Sequence, residues 1–215
     1  MTWVADHIGD ILWYAGQHTL LAGIPLIIGL IIALPLGWVA RRYSKLYGFL
    51  IAGSGLLYTI PSLALFILMP LILGTRILDT LNVYVAMTLY TLALLVRTVA
   101  DGLGAVPDST RQAAVAMGFT GMRRLLKVDL PLAVPVIAAG LRVAAVSNVS
   151  IVSVGTIIGV QQLGLLFSDG FNRDFYDPLV VGIIGCVVLA LLFDGIIILL
   201  ARLLTPWQRA TGGRA

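Results

Sequence analysis

Long apolar runs alternate with short polar ones along this chain, and the runs exceed what the buried face of a soluble helix requires. Five of them stand out, approximately Thr19 to Ala40, Tyr47 to Leu73, Leu81 to Ala100, Leu132 to Val154 and Leu179 to Leu203. Each approaches or passes the roughly 20 residues that a helix needs to cross a hydrocarbon core. In that solvent every backbone amide and carbonyl must be bonded within the segment, so the runs predict helices and the chain an all-α membrane protein. Pro25, Pro35, Pro61, Pro70 and Pro135 fall inside the runs, and kinks are expected near Pro35 and Pro61. With no internal repeat and no low-complexity linker, residues 1–215 read as a single transmembrane domain.

The largest interruption is a polar island over residues 101–131. Ser109-Thr-Arg-Gln112 has the form of a capping box and predicts a helix start there. Ala113, Ala114 and Met117 then share a face, and Gly118 is a left-handed stop. Thr120 caps a second short helix, with Met122, Leu125 and Leu126 on one side and Arg123, Arg124 and Lys127 on the other. Pro131, after Leu130, is expected to open the fourth span, where its missing N–H is harmless. On spacing alone, two uses of this island remain open. It could rest its basic side on the anionic inner leaflet, or insert as a short helix into a groove of a partner protein, the alanines permitting close approach. A shorter polar stretch, Gln161 to Pro178, is either a connecting loop or a short helix lying at the membrane surface.

Composition agrees with the bilayer as solvent, since 60% of residues are hydrophobic and 11% charged, against about 25% charged in soluble domains. The basic residues fall on alternate connections: Arg41, Arg42 and Lys45 after the first span, Arg97, Arg111, Arg123, Arg124 and Lys127 around the third, and Arg202, Arg209 and Arg214 after the fifth. Lysine and arginine mark the cytoplasmic side, which puts the N-terminus outside and the C-terminus inside. Asp6, Asp10, Asp79, Asp169, Asp174 and Asp177 then lie outside with Arg76 and Arg173. Topology thus accounts for the net charge of +4, and a nucleic-acid partner loses its support. Trp3, Trp13, Tyr14 and Trp207 fit interfacial anchors. The N-terminal residues lack the positive region of a secretory signal, and no lipidation motif is expected.

The chemistry available is narrow. Glutamate is absent, Cys186 is the single cysteine, and His7 and His18 read as interfacial rather than as bases or ligands, so neither a metal site nor a catalytic residue is expected. Gly53-Ser-Gly55 is only superficially like a nucleophile elbow, which leaves an intramembrane enzyme a remote alternative. Lys45 and Lys127 do not stand in a phosphate loop, so no site for ATP or its magnesium is expected in this chain. Within the spans, Arg142 lies roughly 16 Å from Pro131 and Asp194 roughly 12 Å from Arg202 at the helical rise. Comparable depth predicts a buried Arg142 to Asp194 pair. Ser147, Asn148, Ser150 and Ser153, with Gly155 and Gly159, mark either helix packing or one wall of a path with Asn148 toward a solute. Tyr58, Pro61 and Ser62 form either a packing kink or a gate.

Gln112-Ala113-Ala114, Gly118 and Leu130-Pro131, with glycine and proline thirteen residues apart, resemble the cytoplasmic loop of permease subunits in binding-protein-dependent ABC importers. Gly16-Gln-His-Thr19, Ala33-Leu-Pro-Leu-Gly37, Tyr58-Thr-Ile-Pro-Ser-Leu-Ala-Leu65, Leu130-Pro-Leu-Ala-Val-Pro-Val-Ile137 and Ala139-Gly-Leu-Arg142 are similar to the permeases for glycine betaine, carnitine and choline. The resemblance runs from about Gly16 to Pro206. It implies the type I ABC importer permease fold, like that of methionine importers, in a prokaryotic inner or plasma membrane. Ser109, Gln112, Ala113, Ala114, Met117, Gly118, Leu130 and Pro131 would belong to a coupling helix that docks on the ATPase. Implied partners are the ATP-binding subunit, an external solute-binding protein, and a second permease, identical or related. The implied mechanism is alternating access, with an osmoprotectant such as proline betaine or glycine betaine as cargo; a methionine-type amino acid or a thiol-betaine is the alternative. One departure is Gln112, where the family carries an acid; capping geometry survives there and a salt bridge does not.

Overall fold

The computed structural model describes residues 2–207. Arg209 and Arg214, counted above among the inner charges, lie outside the described residues. The described chain is helical throughout its ordered elements: α1 (Thr2–Asp6), α2 (Ile8–Arg42), α3 (Ser44–Thr59), α4 (Ser62–Leu73), α5 (Thr80–Gly104), α6 (Asp108–Ala116), α7 (Gly121–Arg124), α8 (Leu130–Val154), α9 (Gly164–Asn172) and α10 (Tyr176–Leu204). Apolar periodicity supplies the spans, and local chemistry sets several of their ends. Gly74 (φ 66°) ends α4 in a left-handed turn, and the Asp79 carboxylate accepts from the Leu81 amide to open α5.

α2 and α5 form the centre. Gly29 lies against Thr91, and Gly37 against Val99, so the two helices run parallel. A Cβ on Gly37 would come within 2.6 Å of the Val99 side chain, a separation that only glycine permits. α8 crosses them antiparallel, with Gly102 near Ile137 and Thr98 against Gly140, and α10 returns along α8. The C-terminal ends of α2, α5 and α10 therefore share one end of the bundle with α6 and α7. Buried side chains form two clusters, one around Leu21, Phe66, Met87 and Val149 toward the N-terminal end of α2, the other around Ala33, Leu95, Val99 and Ile137 toward its C-terminal end.

Several expectations are corrected. The kink expected near Pro61 is present, but it is sharp enough to divide the predicted second span, Tyr47 to Leu73, into two helices bent by 104° at Ile60 and Pro61. The ring of Pro61 and its missing N–H cannot continue a helix there, and Ile60 takes an extended conformation. α4, at 12 residues, is about 18 Å long and too short to cross alone. Because α2 and α5 are parallel, α3 and α4 together must return the chain to its starting side. Pro35, by contrast, sits inside an uninterrupted 35-residue α2.

Pro131 stands in the first turn of α8, as expected, but helix of another type already precedes it. Helix continues from Gly121 to Ile158, and a π-turn at Leu125–Asp129 precedes the proline, with Leu130 N–H bonded to Leu125 C=O. The wider turn relieves the clash that Pro131 would make with the carbonyl four residues back. The capping box is absent: α6 begins at Asp108 after Pro107, so Ser109 lies inside it and makes no cap bond. Gly155 and Gly159 are not a helix-packing pair, since a 3-10 turn starts at Gly155 and Gly159 (φ 82°) ends it. Of the two readings of residues 161–178, the short helix is the one that forms, as α9, packed against α10 through Gly170 and Gly182, with Leu163 before it buried.

Candidate functional site

The polar island folds into a helix, a left-handed turn and a second helix that runs on into α8. Gly118 has φ 80°, the left-handed geometry expected of it. The shared face predicted for Ala113, Ala114 and Met117 is split: Ala114 is buried, while Ala113 is exposed and Met117 is 70% exposed. Val115, Met122 and Leu126 are exposed beside them, and Gln112 faces outward. Leu125 turns inward against the core instead of joining Met122 and Leu126. The island thus displays an apolar stripe with Arg123 stacked over Phe119 at 5.4 Å.

What fastens this stripe is Asp129, a residue the sequence reading passed over. Its carboxylate lies in the π-turn, 3.2 Å from Arg124 Nε and 3.8 Å from Arg111 Nε. Arg111 also donates to Asp108 Oδ1 at 3.1 Å and to the carbonyl of Leu103 at the end of α5. Arg111 therefore ties α6 to α5 and, through Asp129, to α8. The available signal was simple: Asp129 is the sole acid between Arg111 and Pro131, among Arg111, Arg123, Arg124 and Lys127. A buried carboxylate in such company needs a cation.

At the bend, the Tyr58 ring meets Tyr90 edge-on at 5.9 Å, and the Tyr90 hydroxyl donates to the carbonyl of Ile60, whose extended backbone leaves it outside both helices. Ser62 is the first residue of α4 and makes no cap bond. Tyr58, Pro61 and Ser62 are thus together at one break.

The polar core of the membrane segment is larger than expected. Asn148 is buried and donates to Ala22 C=O at 3.2 Å and Thr91 Oγ1 at 2.9 Å, joining α2, α5 and α8. It does not line an open path, because its amide is committed to these partners. His18 is not interfacial but fully buried, with Nε2 2.9 Å from Val149 C=O and Nδ1 2.9 Å from Gln162 Oε1. Gln162 is held in turn, accepting from Gly164 N–H at 2.5 Å and donating to Ser153 C=O at 3.1 Å. Gln162 thereby pairs one amide and one carbonyl of the backbone around the end of α8, groups that are costly to bury unpaired.

Arg142 and Asp194 pair, but not in the interior of the chain. Their side chains are 44% and 22% exposed, on the outer face of α8 and α10. Ser147, Ala139 and Val143 share an open depression of about 410 Å³ with them. The core of the single chain is filled by aliphatic side chains, which leaves charge at this depth on its outside. Among the described residues no cluster of three potential metal ligands occurs.

Comparison with known proteins agrees with this architecture. Residues 25–207 match the family described as "Binding-protein-dependent transport system inner membrane component". The chain is 33% identical over 207 residues to the osmoprotectant import permease protein OsmW of Salmonella typhimurium, covering 95% of this chain and 96% of that protein. It is 30% identical over 212 residues to the glycine betaine/carnitine/choline transport system permease protein OpuCD of Bacillus subtilis, covering 98% and 91%. Among solved structures, the inward-facing MetNI methionine ABC transporter matches with a TM-score of 0.83 at 21% identity, over 93% of this chain and 98% of that one. At that identity the likeness is one of fold.

Proposed function

The chain belongs to the family of inner membrane components of binding-protein-dependent transport systems, and on that premise we propose that it is the permease subunit of an importer for small osmoprotectants such as glycine betaine, carnitine or choline. The observation that carries the reading is the island's apolar stripe, outward-facing yet rigidly held through Arg111, Arg124 and Asp129. A surface meant only to rest on lipid needs no such fastening. A surface that transmits force does, because motion of α6 must reach α5 and α8 without being absorbed by a loop. The stripe docks on a separate ATP-binding subunit, with Gln112 at its rim supplying polarity and no charge.

The depression beside Arg142 and Asp194 supports a solute path along this face. An ionic pair on the outer face of a membrane helix must look onto water, or onto another subunit that shields it. A second permease packed across this face, identical or related, provides both, and places the path between the two. The island end of the bundle is cytoplasmic and the N-terminus external, so an external solute-binding protein delivers cargo at the end where α9 and the bend of α3 and α4 lie. Closure of the paired ATPases draws the island inward and opens that outer end; hydrolysis reverses it.

The test is uptake of labelled betaines into vesicles holding this chain with its cognate ATPase and binding protein. ATP-dependent uptake of glycine betaine, carnitine or choline is expected. ATP-dependent uptake of methionine and of no betaine would overturn the cargo assignment.

A further inference from the structure

We propose that the inner ends of α2 and α8 hold an anionic phospholipid, its phosphate among arginines at the base of the island and an acyl chain in the groove that continues into the membrane. Two neighbouring cavities carry this inference. The first, about 230 Å³, is lined by Arg41, Arg42, Arg111, Arg124 and Asp129, with Trp38 at its edge. The second, about 250 Å³, is apolar and runs between α2, α8 and α10, past Leu30, Leu34, Leu130, Val134, Ala138 and Leu141.

They follow one another along a single seam. Leu30, Leu34 and Trp38 recur every four residues on one face of α2, and Asp129 directly precedes Leu130 where α8 begins. The seam is thus cationic at the membrane boundary and purely aliphatic below it, which is the profile of a lipid with an acidic headgroup. Four guanidiniums line the cavity with one carboxylate, Asp129, which is already paired with Arg111 and Arg124; counting Asp108 on Arg111 as well, two carboxylates stand against four cations. Arg41 and Arg42 have no ion pair among the described residues; Arg42 is stacked over Trp38 at 5.8 Å and Tyr43 at 5.9 Å. Guanidinium forks match phosphate oxygens, and basic pockets between membrane helices on the inner side suit acidic headgroups.

Neither half alone selects the occupant. A soluble anion would leave the aliphatic groove unused, and a neutral lipid would leave the excess positive charge unmet. Each cavity is also smaller than the roughly 300–1,000 Å³ of sites that enclose a whole small ligand, whereas a lipid lies partly in each and partly in the bilayer. The inference rests on the orientation proposed above, which puts these helix ends at the inner leaflet. Its readout is lipid retention, which stands or falls independently of the cargo.

Native mass spectrometry of the purified full chain, delipidated and then titrated with phosphatidylglycerol, phosphatidylcholine or inorganic phosphate, tests it. Retention of one phosphatidylglycerol per chain in preference to phosphatidylcholine is expected. Replacing two cationic contacts by Arg41→Gln with Arg42→Gln should weaken retention roughly thirtyfold, at about 1 kcal/mol per arginine near a membrane surface. Ala138→Phe, which fills the apolar groove from the other side, should weaken it as well. Arg173→Gln, at the opposite end of the bundle, should not. Equal retention of phosphatidylcholine, displacement of the lipid by inorganic phosphate, or unchanged retention in both seam variants would each overturn the proposal, as would a dimer whose second copy fills the groove and excludes lipid.

Discussion

The guanidinium of Arg142 grips the carboxylate of Asp194 with two hydrogen bonds, Nε to Oδ1 at 2.5 Å and Nη2 to Oδ2 at 3.0 Å, joining α8 to α10 on a face open to the outside of the chain. Removal of either partner strands a charge at membrane depth, where an unpaired ion is costly. Asp194→Asn and Arg142→Gln should each lower transport in reconstituted vesicles, and the exchange Arg142→Asp with Asp194→Arg should recover part of it. Full transport by both single variants would show that the pair is dispensable.

Gly118 sits where only glycine is comfortable, at φ 80°, between α6 and α7. Valine there costs on the order of 1–3 kcal/mol of backbone strain, which the segment can shed only by reshaping the turn. Gly118→Val is expected to reduce binding-protein-stimulated ATP turnover of the assembled importer severely. Gln112→Glu, on the exposed rim of α6, should leave it largely intact. The opposite order of effects would argue for a charge-based dock.

Asp129→Asn keeps the shape of the π-turn and removes the charge that Arg111 and Arg124 share. Loss of a buried charge-assisted contact is worth about 1.5–3 kcal/mol. Hydrogen exchange across residues 108–124 should accelerate while the centre of α5 stays protected. If exchange is unchanged, Asp129 is not what holds the island.

Gln162 spends its amide on three partners, His18, Gly164 and Ser153. Gln162→Leu leaves these buried groups unsatisfied at about 1–3 kcal/mol each. The thermal transition of the purified protein should drop by several degrees, more than for Gln161→Leu at its exposed neighbour.

Tyr90→Phe removes the hydroxyl that satisfies the Ile60 carbonyl at the break and spares the ring contact with Tyr58. The bend should persist, since Pro61 enforces it, but with greater mobility between α3 and α4, read as broadened distances between spin labels on the two helices. An unbroadened distribution would assign the rigidity to Pro61 alone.

Apolar run length was enough to identify four of the five expected spans as single helices, because a bilayer requires about 20 apolar residues per helix whatever the neighbours do. The charge pattern likewise marked one end of the bundle, and Gly118 was legible because its conformation is a local property. Arg142 and Asp194 could be matched by depth, since helical rise is constant; that they face outward could not, because the facing direction depends on how α8 and α10 roll against each other. Met117 and Ala114 make the same point on a small scale, adjacent on the helix surface yet on opposite sides of its contact with the bundle.

By itself, then, the amino-acid sequence determined the solvent, the helices, the position of the island and its likeness to importer permeases, all properties that follow from composition and short-range spacing. The tertiary structure alone decided that His18 is a core residue tied to Gln162 across 144 positions of chain, and that Asp129 anchors the island. The physical reason is shared. Each depends on where a distant helix supplies a hydrogen bond or a counter-charge, and that is set by packing rather than by the residues on either side.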